Sequence, residues 1–251
     1  MEYVYMGNEV LDTMIVNWQD PLPQLKLNQG DVHIWYTSLK LGGYYCSNNI
    51  NLLSLEEKKQ AEAYKFDRDR ERFVARRIIL RHILEKKYGK LLKESKIRLN
   101  AYGKPKVVSG ALDVFLSLSH SENSVIYAIS KSFEIGIDME FVRKLDYKPI
   151  LQTLLPNYMG DNIDSSKEFD DIVSFYHVWT SVEAYLKAIG TGFSNALDDT
   201  FWGNFPFEIF EKRVRNCHWS VLQFMPEENF FCTFMANSPK VVPSFYVFTD
   251  E

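Results

Sequence analysis

The segment Phe133-Glu134-Ile135-Gly136-Ile137-Asp138-Met139-Glu140 constrains this chain more than any other. Read with the two-residue period of a strand, Ile135, Ile137 and Met139 point to one face, and Gly136, Asp138 and Glu140 to the other. The apolar face requires a core beneath it, which leaves two carboxylates side by side on a rigid element. Gly136 lies on the acidic side, where a missing side chain leaves room for a ligand. Two carboxylates in register suit a hard cation such as Mg²⁺, which takes oxygen ligands and keeps positions for phosphate and water. An acidic pair at a strand end is more often simply solvated, so the pair needs support from elsewhere.

That support comes from Trp179-Thr180-Ser181-Val182-Glu183-Ala184-Tyr185-Leu186-Lys187-Ala188-Ile189-Gly190. A helix here puts Trp179, Glu183 and Lys187 on one continuous face, and Gly190 with Gly192 ends it. Glu183 and Lys187 alone would be an ordinary surface ion pair worth a few tenths of a kcal/mol. A tryptophan on the same face argues against a purely solvated stripe. A third carboxylate followed one turn later by a cation is what a magnesium–pyrophosphate site would use.

Composition sets outer limits. With 251 residues, 46% hydrophobic and 15% aromatic, the chain can bury a large core as one large domain or two small ones. Cys46, Cys217 and Cys232 are odd in number and form no C-x-x-C, which points away from a disulfide framework or zinc and toward a reducing, cytoplasmic compartment. The first residues carry no basic-then-apolar signal, and no apolar run approaches a membrane span. A net charge of −4 argues against a general nucleic-acid binder.

In chain order, residues 1–30 read as a loosely packed lead-in and Val32–Tyr36 as a first strand. Ser54 and Glu57 form a capping box for a helix reaching about Tyr64. A longer helix follows from Phe66 to Leu84, with an apolar stripe through Phe73, Leu80 and Leu84. It carries Arg68, Arg72 and Arg76 on one face, either solvated and paired with Asp69 and Glu71, or with Arg72 binding phosphate. Tyr102-Gly103-Lys104-Pro105 is a tight turn with a cation at its tip. Val114–Leu118 is a strand leading into Ser119-His120-Ser121, where His120 is either structural or a phosphate holder. Val125–Ile129, a turn at Lys131-Ser132 and Glu134–Glu140 form a hairpin. Asp146–Leu155 reads as helix, Asp161–Asp171 as an acidic loop, and Phe207–Ile209, Trp219–Phe224, Phe230–Met235 and Phe245–Phe248 as strands. The class is α+β, with two similar α/β halves a possibility.

Five separated stretches together resemble the Sfp-type 4′-phosphopantetheinyl transferases: Asp69–Phe73, Tyr102–Pro105, Leu116–Ser121, Gly136–Glu140 and Trp179–Lys187. The resemblance covers about Ser54 to Ser194, in the family's order. It implies two similar halves in a pseudo-twofold arrangement, 1–132 and 133–251, with the active site in the cleft between them. It further implies a monomeric enzyme that transfers 4′-phosphopantetheine from coenzyme A to a serine of an apo acyl or peptidyl carrier protein, releasing 3′,5′-ADP. By position, Asp138, Glu140 and Glu183 would ligate Mg²⁺, with Glu183 or a water it orients taking the serine proton. Lys187 would meet the phosphate as leaving charge develops. Arg72, Ser119 and His120 would hold coenzyme A phosphates, and Tyr102, Gly103, Lys104 and Pro105 would line the adenine end.

The family commonly has lysine directly before the third carboxylate, where this chain has Val182. It often has a glutamate where this chain has Asn157, ahead of Tyr158. These departures motivate one alternative, a non-catalytic relative that binds coenzyme A or a carrier protein. Nucleic-acid binding through the arginine-bearing helix is a third reading, weakened by the acids interleaved with those arginines.

Overall fold

The structure is a computed structural model. It describes residues 4–6, 9–11, 14–39, 43–89, 92, 95–110, 112–147, 149–150, 172–192, 212–214 and 217–249. The elements run β1 (Val4–Met6), β2 (Glu9–Leu11), β3 (Met14–Ile15), β4 (Val32–Ser38), α1 (Gly43–Asn49), α2 (Leu55–Glu62) and α3 (Asp67–His82). There follow β5 (Lys96–Leu99), β6 (Pro105–Ser109), β7 (Leu112–Ser121), β8 (Ser124–Ser130), β9 (Ile135–Phe141) and α4 (Ile172–Ile189). The last strands are β10 (Lys212–Val214), β11 (Cys217–Met225), β12 (Phe230–Ala236) and β13 (Ser244–Val247).

This is a mixed α+β fold built on two larger sheets. One has the order β13-β4-β8-β7-β6-β5, the other β10-β11-β12-β9 with β3 beside β11. Their side-chain alternation explains the layering. On β8, Val125, Tyr127 and Ile129 join Trp35, Ile79, Leu80 and Leu84 in a core beneath α3. Ile126 and Ala128, on the opposite face of the same strand, pack with Ile135, Ile137 and Met139 of β9 and with Phe224 and Phe234. Both faces of β8 are therefore covered, and every residue of the strand is buried. On the far side of the second sheet, α4 packs against β9 and β12. The order of layers is helix, sheet, sheet, helix.

Several sequence expectations need correction. The hairpin expected of Val125–Ile129 with Glu134–Glu140 does not form. β8 instead makes its hairpin with β7, through Glu122 at φ 50° and Asn123. β9 turns away after Ser130 to pair antiparallel with β12 in the second sheet. Val32–Ser38 is not the first strand, since β1, β2 and β3 precede it.

Nor are the described residues before position 30 loosely packed: Val16, Leu25 and Leu27 are buried. Trp18 stacks on Tyr36 and meets Phe224 and Phe245 edge-on, and its Nε1 donates to the Pro226 carbonyl at 2.9 Å. The two ends of the chain also reach across the expected division at 132/133. β3 lies parallel to β11, and β13 lies parallel to β4.

The capping box at Ser54 and Glu57 forms as expected. α4 also ends where expected, with Gly190 at φ +71° and its N–H donating to the Leu186 carbonyl. The expected readings of Asp161–Asp171, Asn157-Tyr158 and Phe207–Ile209 lie outside the described residues, as does most of Asp146–Leu155.

Candidate active site

The carboxylates of β9 face α4, and the reason lies in Gly136. A Cβ there would sit 1.8 Å from the Ala184 carbonyl oxygen and 2.6 Å from the Ala188 nitrogen. The missing side chain thus serves the close approach of helix backbone to strand, and the space expected for a ligand is filled by α4. That approach sets Glu183 and Lys187 over Asp138 and Glu140.

Asp138 is buried at 3% exposure. Its Oδ1 accepts from Lys187 Nζ at 2.6 Å and from Ser119 Oγ at 2.8 Å, while Lys187 Nζ also donates to Ser119 Oγ at 3.0 Å. Asp138 Oδ2 is buried and has no hydrogen-bond partner. Glu140 Oε2 accepts from Ser121 Oγ at 2.8 Å. Burial, and then the charge of Asp138, raise the Glu140 carboxyl above its usual pKa; Ser121, Lys187 and Arg143 pull it back. Glu183 is pushed up to about 7, chiefly by burial, then by Asp138 and Glu140, against the opposing pull of Lys187. Three carboxylates crowded in a desolvated space with one cation are short of positive charge. Among the described residues, however, no three His, Cys, Asp or Glu side chains already stand as a metal-holding group.

Beside them lies a cavity of about 330 Å³, walled by Tyr64, Asp69, Arg72, Arg76, His120, Ser121, Glu122, Phe141 and Arg143. It brings Arg72 of α3 together with His120 of β7. Arg72 donates to Asn123 Oδ1 at 2.8 Å and lies 3.9 Å from Glu122. Arg68 stays outside, in an exposed pair with Asp69. Arg76 and Arg143 are cationic walls that sequence reading did not single out. Arg76 shared a helical face with Arg72, which was a usable signal; nothing local marked Arg143.

The Tyr102–Pro105 turn forms as expected, with Gly103 at φ +87°. Lys104 is not a free cation at its tip. Its Nζ pairs with Glu134 and donates to the Ala188 carbonyl, and Asn100 Nδ2 donates to the Gly190 carbonyl at 2.9 Å. The turn is braced against the C-terminal end of α4 and does not line the arginine cavity. Tyr102 is exposed. Val182, at the position where the resemblance implies a lysine, is buried at 5% exposure.

Comparison with known proteins finds similar sequences over the stretch that forms this site. The sequence model of the 4′-phosphopantetheinyl transferase superfamily matches residues 134–234, the stretch that supplies β9 and α4. The chain is 28% identical to the 4′-phosphopantetheinyl transferase HetI of Nostoc over 84% of this chain and 90% of HetI. It is 36% identical to the transferase gsp of Aneurinibacillus migulanus over 42% of each chain. It is 26% identical to Sfp of Bacillus subtilis over 59% of this chain and 65% of Sfp. The carboxylates of β9, the Glu183–Lys187 face of α4 and these matches point the same way: the chain is similar to the 4′-phosphopantetheinyl transferases over the stretch that carries its acidic site.

Proposed function

We propose that this protein transfers the 4′-phosphopantetheine group of coenzyme A to a serine hydroxyl of an apo acyl or peptidyl carrier protein. The observation that carries the reading is the meeting of Asp138, Glu140, Glu183 and Lys187 where β9 faces α4, next to a cavity walled by arginines. In the reaction the serine oxygen forms a bond to the phosphorus bearing the pantetheine arm. The bond from that phosphorus to the oxygen of 3′,5′-ADP breaks, and the serine proton passes to a base. Glu183 offers a carboxylate to take that proton directly or through a water it orients. Lys187 stands close enough to the carboxylates to answer charge developing on the leaving oxygens.

The donor set fits Mg²⁺. It offers hard oxygen ligands, an unpartnered buried oxygen on Asp138, and crowded carboxylates whose raised pKa values a cation would relieve. Asp138, Glu140 and Glu183 would hold the ion, which when bound neutralises charge on the pyrophosphate. Arg72 and His120 hold coenzyme A phosphates from the cavity wall, and Ser119 steadies Asp138 and Lys187. The main chain of Tyr102–Pro105 borders the adenine end, with Lys104 fixing the turn.

We further read the molecule as a monomer of two similar halves, 1–132 and 133–251. Each half sets a helix on the outer face of a sheet, and the terminal strands are exchanged between them. A cytoplasmic setting accords with the free thiols of Cys46 and Cys232. Among the described residues no helix is long and apolar enough to cross a membrane. The binding-only alternative gains nothing from Val182, whose side chain is turned into packing. Carrier-dependent release of 3′,5′-ADP, followed by chromatography, tests the function. Coenzyme A binding without such release, across fatty-acid, polyketide and peptide-synthetase carriers, would contradict it.

A further inference from the structure

β7 and β9 lie in different sheets, yet alternate residues of β7 stitch them together through serine hydroxyls. Ser117 Oγ accepts from the Ile137 N–H at 3.0 Å. Ser119 Oγ donates to Asp138 Oδ1 at 2.8 Å. Ser121 Oγ accepts from the Phe141 N–H at 3.1 Å and donates to Glu140 Oε2 at 2.8 Å. The period of two along β7 puts all three hydroxyls on the face that meets β9. Their consequences differ. Ser117 touches only backbone, whereas Ser121 spends its single proton on a carboxylate and is held in place by the next backbone N–H of that strand. Ser121 also borders the arginine cavity, so it stands where cavity and carboxylates meet.

We infer that Ser121 is a positioning residue for Glu140. It fixes one oxygen of that carboxylate and so sets the direction in which the group presents itself to a cation. The inference rests on the reading of Asp138, Glu140 and Glu183 as metal ligands. A carboxylate free to rotate must be ordered when it binds, and partners that pre-orient ligands typically contribute about 10- to 100-fold in metal affinity.

The test compares Ser121→Ala, Ser121→Thr and Ser117→Ala in the full chain. Mn²⁺ binding is measured directly, from the electron paramagnetic resonance signal of the free ion, and the Mg²⁺ midpoint of turnover is measured beside it. Ser121→Ala is expected to weaken Mn²⁺ binding about tenfold or more. Ser121→Thr, which keeps the hydroxyl, restores it. Ser117→Ala, which removes a comparable inter-sheet bond without touching a carboxylate, lowers the melting temperature and leaves Mn²⁺ affinity alone. If Ser121→Ala does not fold, Ser121→Cys keeps the shape with a weak donor and carries the same expectation. Unchanged Mn²⁺ affinity in Ser121→Ala, or an equal loss in Ser117→Ala, would overturn the inference. Failure of the underlying reading shows separately in the unaltered protein, as turnover indifferent to EDTA and no Mn²⁺ binding.

Discussion

Lys187 Nζ lies 2.6 Å from Asp138 Oδ1, an ion pair that ties α4 to β9 at the centre of the carboxylate group. The two partners are unequal. Asp138 is 4% exposed in its side chain and Lys187 31%, so the lysine can turn to water while the aspartate cannot. Asp138 is therefore the buried, fixed member of the pair and Lys187 the solvent-accessible one.

Replacing Asp138 by Ala should lower transfer at least about a hundredfold, the scale of losing one preorganised electrostatic contact in an active site. The fold should persist, because the freed Lys187 reaches solvent. Steady-state rates with circular dichroism on the same samples check this. A variant within a few-fold of normal activity would contradict the role given to Asp138.

Glu183 has a pKa raised to about 7, against 4.5 unfolded. Its contribution to stability is therefore fully present below about pH 4.5 and is lost as pH rises through about 7. In EDTA, Glu183→Gln should melt above the unaltered protein at pH 8, and the advantage should vanish near pH 4.5. Added Mg²⁺ should narrow the gap at pH 8 by stabilising most the protein that keeps all three carboxylates. Melting curves at several pH values decide it; a gap independent of pH would count against the crowding of charge described here.

Gly136→Ala introduces a carbon 1.8 Å from the Ala184 carbonyl, and backbone cannot step aside as a flexible side chain can. The variant should lose about 1–3 kcal/mol, in line with overpacked cores, and should lose transfer along with it as α4 shifts from β9. Urea denaturation and rate measurements on the variant test both. Normal stability would mean that helix and strand are not so closely seated.

Trp18→Ala removes an indole that touches β4, β11 and β13, elements of both large sheets. A loss of about 3 kcal/mol is expected in chemical denaturation, at the lower end for Trp truncation because the ring is only partly buried. A change below about 0.5 kcal/mol, the range of ordinary surface substitutions, would show that the crossing of the chain ends contributes little.

Much of this site could be read from local pattern. The alternation of Phe133–Glu140 marked β9 and its two acids, and helical spacing put Glu183 and Lys187 on one face. What could not be read were relations across the sequence. Gly136 is empty because of Ala184 and Ala188, so no neighbour in the chain reveals whether ligand or helix fills the space. Lys104 looks free at a turn until the end of α4 arrives to accept its hydrogen bond. The hairpin error has the same origin: Lys131-Ser132 is a plausible turn, and only pairing with β12 shows that β9 leaves for another sheet. Residues 14–27 lack a clear period, yet Trp18, Leu25 and Leu27 find apolar partners far along the chain.

The most direct test of the central claim is intact-mass measurement of an apo carrier protein incubated with this protein, coenzyme A and Mg²⁺, with and without EDTA. The account predicts that the carrier gains the mass of one phosphopantetheine arm at serine, and that EDTA suppresses the gain. A panel of apo carriers left unmodified, although the protein binds coenzyme A, would contradict it.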